Sequence, residues 1–247
     1  MTLSDFAATG LAVRRADGPP PARVQVIGER SSGTNFVKRL LGRNTALVPT
    51  EALGWKHGFC QALAIPAELA VVVVVRRADD WALSMHSRPW HATPALQRLP
   101  FADFLRAPWD SVIDRPRYFP GQEEALGQPL QQDRDPLTGE PFPDIFALRQ
   151  AKLAAHLGFA ERGGSVALLR LETVRNDPQA ALERIAEGFG LPAPEGPFRP
   201  VVKRLGNRFR PAIEDRPETP DALSAADMAF LRSRVDTAQE AALGYRY

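Results

Sequence analysis

The sequence predicts an α/β protein: an open, mainly parallel sheet with helices on both faces. Three observations carry that expectation. Val24-Gln25-Val26-Ile27 is a short β-branched run that passes through a small-residue loop into apolar residues at helical spacing, Phe36, Val37, Leu40 and Leu41. Residues 70–75 form a continuous β-branched run, the pattern of a central parallel strand buried on both faces. Residues 165–171 form a second such run, followed by a helical pattern over 178–189 that Gly190-Leu191-Pro192 stops. Strand and helix alternating over short links require a parallel sheet covered on both sides.

The elements follow in order. Residues 1–22 end in Gly18-Pro19-Pro20-Pro21 and read as a loosely held lead-in. The first strand takes 23–27 and the first helix roughly 34–43. Leu53-Gly54-Trp55-Lys56-His57-Gly58 is a short strand end or a loop. After the strand at 70–75, a helix is expected over 79–87. Residues 89–144 carry many prolines together with Trp90, Trp109, Tyr118 and Phe119, and are too long for plain connection. They read as an insertion with short helices, a substrate-facing lid or wall, with a poorly ordered surface loop as the alternative for 120–143. A helix from 144 to about 162 ends at Gly163-Gly164, a basic loop covers 199–210, and a helical C-terminal region at 211–247 contains a last helix over about 224–242.

Composition sets bounds on function. The 247 residues suit a single α/β domain, or two small ones, and 44% apolar residues suffice for a full core. A formal net charge of +2 is too small to point to nucleic acid as the main partner. Arginine dominates the cations, 27 against four lysines. The single cysteine, Cys60, cannot form an intrachain disulfide and suits a reducing compartment. With no signal-peptide core and no run of membrane-spanning length, a soluble cytoplasmic protein without a membrane span is expected.

Two stretches carry the chemistry. Gly28-Glu29-Arg30-Ser31-Ser32-Gly33-Thr34-Asn35 joins strand to helix, the arrangement in which loop N–H groups and a helix N-terminus converge on an anion. The glycine spacing is that of a Walker A loop, but Thr34 stands where that motif needs lysine for the terminal phosphates of a nucleoside triphosphate. The loop is therefore expected to hold a different anion, or to be an ordinary Gly/Ser turn. Arg76 begins where the polyvaline strand ends, in the layer where open α/β sheets bind ligands. With Ser84 on the next helix it offers a guanidinium and a hydroxyl to one phosphate; the alternative is an ion pair of Arg76 with Asp79 or Asp80.

Taken together these stretches resemble the sulfotransferases that use 3′-phosphoadenosine 5′-phosphosulfate (PAPS), whose bacterial-type members have a P-loop-like α/β fold. Arg76 and Ser84, eight apart with Asp80 between, match the family's 3′-phosphate element. Val166-Ala167-Leu168-Leu169-Arg170-Leu171-Glu172, then Asn176-Asp177-Pro178 and Phe189-Gly190-Leu191-Pro192, is similar to a later family segment. The resemblance covers about 23–88 and 145–192. It implies transfer of a sulfuryl group from PAPS to a hydroxyl or amine of a small-molecule or carbohydrate acceptor, with 3′,5′-adenosine bisphosphate (PAP) as product and no metal. It implies further that Arg30, Ser31, Ser32, Gly33, Thr34 and Asn35 hold the 5′-phosphosulfate, and that Arg76 and Ser84 hold the 3′-phosphate. In Trp55-Lys56-His57-Gly58, His57 takes the place of the base and Lys56 that of a charge stabiliser; a purely structural loop histidine is the alternative.

The family's loop cation is usually Lys or Arg where Ser31 stands here, with Arg30 one residue earlier. That shift turns the cation in another direction, so Arg30 is a catalytic candidate beside His57 and Lys56, with Lys56 the alternative for assisting the leaving group. Glu29 is open between orienting Arg30, binding the acceptor and acting as a second base. Arg204 and Arg208 lie in a loop similar to the one that closes over the 3′-phosphate, or in a solvated basic loop. Arg149 and Lys152, three apart on one helix face, read most simply as an exposed pair on a long helix, with a position pointing into the site as the alternative. The rival functions are a P-loop kinase or other nucleotide-dependent phosphotransferase, and a non-catalytic nucleotide-binding module of the same fold.

Overall fold

The β-branched runs form strands, and the patterned segments between them form helices. A computed structural model describes residues 3–194, 196–202 and 208–247. The strands are β1 (Leu11–Arg14), β2 (Arg23–Ile27), β3 (Val48–Pro49), β4 (Leu69–Val75) and β5 (Val166–Arg170). The helices are α1 (Leu3–Thr9), α2 (Thr34–Asn44), α3 (Ala78–Ser87), α4 (Pro94–Gln97), α5 (Phe101–Arg106), α6 (Ile145–Leu157), α7 (Leu171–Asn176), α8 (Pro178–Phe189), α9 (Ala225–Arg234) and α10 (Thr237–Ala242). No helix among the described residues is long and apolar enough to cross a membrane.

Two compact units divide the chain. The first comprises Met1–Arg76, Lys152–Leu205 and Asp236–Tyr247, and the second Arg77–Ala151 and Gly206–Val235.

The first unit holds one five-stranded sheet in the order β1-β5-β4-β2-β3, parallel except for β1, which runs antiparallel to β5. All seven residues of β4 are buried, as the continuous apolar run requires. Alternate side chains leave opposite faces. Val24, Val26, Val72 and Val74 meet Val37, Leu40 and Leu41 of α2 and Leu182, Ile185 and Phe189 of α8. Ile27, Val71, Val73 and Val75 meet Phe6, Leu153, Phe159 and Leu243 on the other face. Each such side chain contributes about 1.5–3 kcal/mol on burial, so both layers are needed to hold β4. The ends of α8 follow from local chemistry. The Asp177 side chain accepts from Ala180 N, Pro178 opens the first turn, and Gly190 closes the last with φ 67°.

The second unit contains α3, the whole insertion with α4 and α5, and α9. Residues 107–144 form few regular elements but are hydrogen-bonded along their length. Buried Asp133 accepts from Trp109 Nε1 at 3.1 Å and Ser111 Oγ at 2.6 Å, and Leu130 N donates to Ser111 O. Trp90, His91, Tyr118, Phe119 and Phe209 pack edge to face or tilted.

The structure departs from the sequence pattern in four places. The lead-in contains α1 and β1. α6 stops at Leu157 and passes into a 3₁₀ turn, Gly158–Glu161. α7 interposes between β5 and α8. The last helix is two, because Asp236 caps α10 through Ala238 N and Gln239 N.

Candidate functional site

The sheet order locates the site. From β2 the chain crosses α2 to β3 on one side, while β4 lies on the other, so β2 and β4 border a topological switch point where such sheets bind ligands. The glycine loop leaves the carboxyl end of β2, and Arg76 follows β4 directly.

Backbone geometry selects the glycines. Gly28 has φ 152° and Gly33 φ 95°. A Cβ on Gly28 would overlap the Val74 carbonyl oxygen, and one on Gly33 would overlap Leu171 Cδ1. Between them Ser31 also adopts positive φ, 63°. Ser32 folds the loop inward, its N and Oγ both donating to Glu29 O at 3.1 and 2.7 Å. α2 then begins at Gly33 with no side-chain cap. Its first N–H groups have no carbonyl within the helix to receive them, which leaves donors and the positive end of the helix dipole for an anion.

The Trp55–Gly58 turn clasps this loop. Gly28 N donates to Lys56 O at 3.0 Å, and His57 Nδ1 lies 2.6 Å from Gly28 O. A carbonyl only accepts, so Nδ1 carries the proton and Nε2 keeps its lone pair. Burial pushes the His57 pKa well below its ordinary value, and the Lys56 charge adds to this. The Gly28 hydrogen bond acts in the opposite sense, and Arg30 and Lys152 lower the value further. At neutral pH the ring is an uncharged base of fixed tautomer. Lys56 donates to Asn35 Oδ1 at 2.7 Å, and desolvation lowers its pKa.

The turn is itself supported from α6. Lys152, fully buried, donates Nζ to His57 O at 2.7 Å and lies 5.2 Å from the Trp55 ring centre and 5.7 Å from that of Phe59. One turn on, His156 Nε2 donates to Gly58 O at 2.9 Å. The expectation that Arg149 and Lys152 form an exposed pair is corrected: they are 3% and 0% exposed, Arg149 lying over the Trp81 ring within the second unit. An ammonium that finds carbonyl and aromatic partners is retained in the interior, and charge spacing alone carries no signal of that.

Within the first unit, the structure brings together Arg30, Ser31, Ser32, Gly33, Thr34, Asn35, Lys56, His57 and Arg76. Arg30 is 2% exposed, with its guanidinium 5.6 Å from the Trp55 ring centre, so this cation lies within the protein rather than on the loop's open side. Glu29 is buried beside it in sequence, at 6% exposure. Arg76 donates NH1 to Ser31 O at 3.0 Å, while Arg77 takes the pairing with Asp79. Ser84 is half-buried on α3, and Arg208 is exposed; both belong to the second unit. Arg204 lies outside the described residues. Sequence reasoning missed Trp55, Lys152 and His156 as supports of His57. The one available signal was the i, i+4 spacing of Lys152 and His156, which puts both on one helix face.

No family model matches the chain, and neither a curated protein nor a solved structure matches it.

Proposed function

We propose that the protein is a PAPS-dependent sulfotransferase acting on an acceptor hydroxyl. The observation that carries this reading is a neutral histidine of fixed tautomer, His57, hydrogen-bonded to the first residue of an uncapped glycine loop that lacks the Walker lysine.

The donor supplies an electrophilic sulfuryl group on a phosphate leaving group. The residues divide the remaining tasks. The loop N–H groups and the N-terminus of α2 bind and orient the 5′-phosphosulfate. Arg76 spends one of its five N–H donors on Ser31 O and offers others to the 3′-phosphate. His57 Nε2 takes the acceptor proton as the acceptor oxygen bonds to sulfur and the sulfur–phosphate oxygen bond breaks. Lys56, next to His57 and bonded to Asn35 at the start of α2, meets the charge growing on the departing phosphate.

A thermal-shift comparison tests the donor class. Stabilisation by PAP and not by ATP with Mg²⁺ supports the proposal, and the reverse selects a P-loop kinase. Consumption of labelled PAPS by the wild type, collapsing in His57→Ala, separates an enzyme from a nucleotide-binding module. PAP binding without consumption across an acceptor panel would favour the module.

A further inference from the structure

Residues 208–224 of the second unit form neither helix nor strand, and none of them is buried. A segment that buries so little apolar area is held by its polar anchors and opens more readily than the elements beneath it. Arg115 donates to Arg210 O, and Ala212 N donates at 3.0 Å to Oε1 of Gln97, a buried residue of α4. Arg216 donates to Ser87 O at 3.1 Å and to His86 O. Thr219 Oγ1 lies 2.7 Å from His86 Nδ1. At the start of the segment, Phe209 packs against Trp90 with 5.3 Å between ring centres.

Two of these anchors meet at one titratable residue. His86 lies in the last turn of α3 and is 0% exposed, with the rings of Phe101 and Phe104 edge-on at 5.4 and 5.1 Å. Its Nε2 lies 3.1 Å from Leu99 O. A carbonyl only accepts, so in the neutral ring Nε2 carries the proton and Nδ1 accepts from the Thr219 hydroxyl. A proton added at Nδ1 removes that acceptor and places a charge in a buried site. It also brings a second cation to the carboxyl end of α3. The helix dipole favours positive charge there, and Arg216 already supplies it at the carbonyls of residues 86 and 87. Burial lowers the His86 pKa; the Leu99 hydrogen bond opposes this, and the charge of Arg216 lowers it further. The acidic residues flanking Thr219, Glu218 and Asp221, are exposed.

We propose that residues 208–224 are a proton-gated strap, seated on the end of α3 while His86 is neutral and released from it, and from Trp90, when His86 is protonated. The rest of the second unit stays folded, because its buried aromatic and aliphatic side chains are independent of these anchors. The seated strap selects the neutral ring, so its hold is complete above pH 6.5 and weakens as pH falls below that value. A single proton raises the opening equilibrium by at most about tenfold per pH unit. The inference does not rest on the donor chemistry.

Amide hydrogen exchange followed by NMR on the whole chain tests it, with rates corrected for the intrinsic pH dependence of exchange. Ala212 N reports the strap, and Phe104 N, bonded to Pro100 O at 2.9 Å, reports the body of the second unit. Between pH 7.5 and 5.5 the protection of Ala212 is expected to fall by about three- to tenfold while that of Phe104 stays level. His86→Gln keeps an amide donor for Leu99 O and cannot titrate, so Ala212 protection in it should not change with pH. Thr219→Val alters the strap alone and should lower Ala212 protection at pH 7.5 by about five- to tenfold, leaving Phe104 as in the wild type. Level protection of Ala212 in the wild type, an equal fall at Phe104, a pH dependence that persists in His86→Gln, or a Thr219→Val protein that exchanges like the wild type each overturns the proposal.

Discussion

Gly33→Ala is expected to destabilise the protein for two separable reasons, and a double-mutant cycle with Leu171→Ala separates them. At φ 95° an alanine carries a left-handed backbone penalty of about 1–2 kcal/mol. Its Cβ would also overlap Leu171 Cδ1 and come within 3.1 Å of Cδ2, an overpacking cost of about 1–3 kcal/mol. The sum, about 2–5 kcal/mol, is a large part of a typical domain's stability of about 5–15 kcal/mol. Leu171→Ala alone leaves a cavity beside a residue that is 4% exposed and costs about 2–5 kcal/mol. In the double variant the atoms that the new methyl would strike are gone, so only the backbone penalty persists, and a coupling of about 1–3 kcal/mol appears. Gly28→Ala has no such rescue. The atom in the way there is the carbonyl oxygen of Val74, in the central strand, which no side-chain truncation removes. Urea unfolding of the four species measures the cycle. Additivity to within about 0.5 kcal/mol would refute the steric account, and a loss below about 1 kcal/mol in Gly33→Ala would refute both parts.

Arg76→Ala should weaken PAP binding by about 10–100-fold because a charge-assisted contact is lost, as read by calorimetry; unchanged affinity removes the 3′-phosphate assignment. His57→Ala should bind PAP as the wild type does and lose about 10²–10⁴-fold in kcat; parallel loss of binding would make His57 a purely structural residue. The pH profile of kcat/KM should stay level down through pH 6.5 and fall only at lower pH, since the neutral ring is the active form and burial lowers its pKa; a midpoint above 6.5 contradicts this. Burial lowers the His156 pKa from 6.5 to about 4. The corresponding stability is present above pH 6.5 and is lost as pH falls toward 4, about 3 kcal/mol in all. His156→Gln keeps a donor for Gly58 O and should flatten that part of the pH–stability curve in urea titrations; an unchanged slope refutes the attribution.

What was legible in the sequence were features that short-range physics determines. β2, β4, β5, α2 and α8 followed from β-branching, helical spacing and the Gly190-Leu191-Pro192 stop, all of which act within a few residues. β1 was not legible, since four residues between Gly10 and a proline run become a strand only by pairing with Val166–Leu169, more than 150 positions away. The glycine loop and His57 were both marked as candidates. Their junction was not, because it is a contact between a ring nitrogen and the backbone carbonyl of Gly28, 29 positions earlier. Backbone carbonyls leave no trace in residue identity. The same holds for Lys152, whose partner is the His57 carbonyl.

The one-residue displacement of the loop cation acquires a physical sense from this arrangement. Ser31 occupies the position at φ 63°, and the Arg30 guanidinium is buried 5.6 Å from the Trp55 ring centre. From there its charge, with those of Lys56 and Lys152, adds to the burial that chiefly holds the imidazole neutral. A base is useful only when unprotonated, yet its strength falls as its pKa falls. Burial and the neighbouring cations together therefore make His57 available but weak. A polyanionic donor in the loop would oppose those cations and raise the His57 pKa toward neutrality, strengthening the base only when there is something to transfer. On this account the buried cations are not misplaced substitutes for a loop lysine. With burial they keep the His57 ring unprotonated at rest, and on the proposed sulfotransferase reading Lys56, the cation bonded to Asn35 where α2 begins, would meet the leaving group.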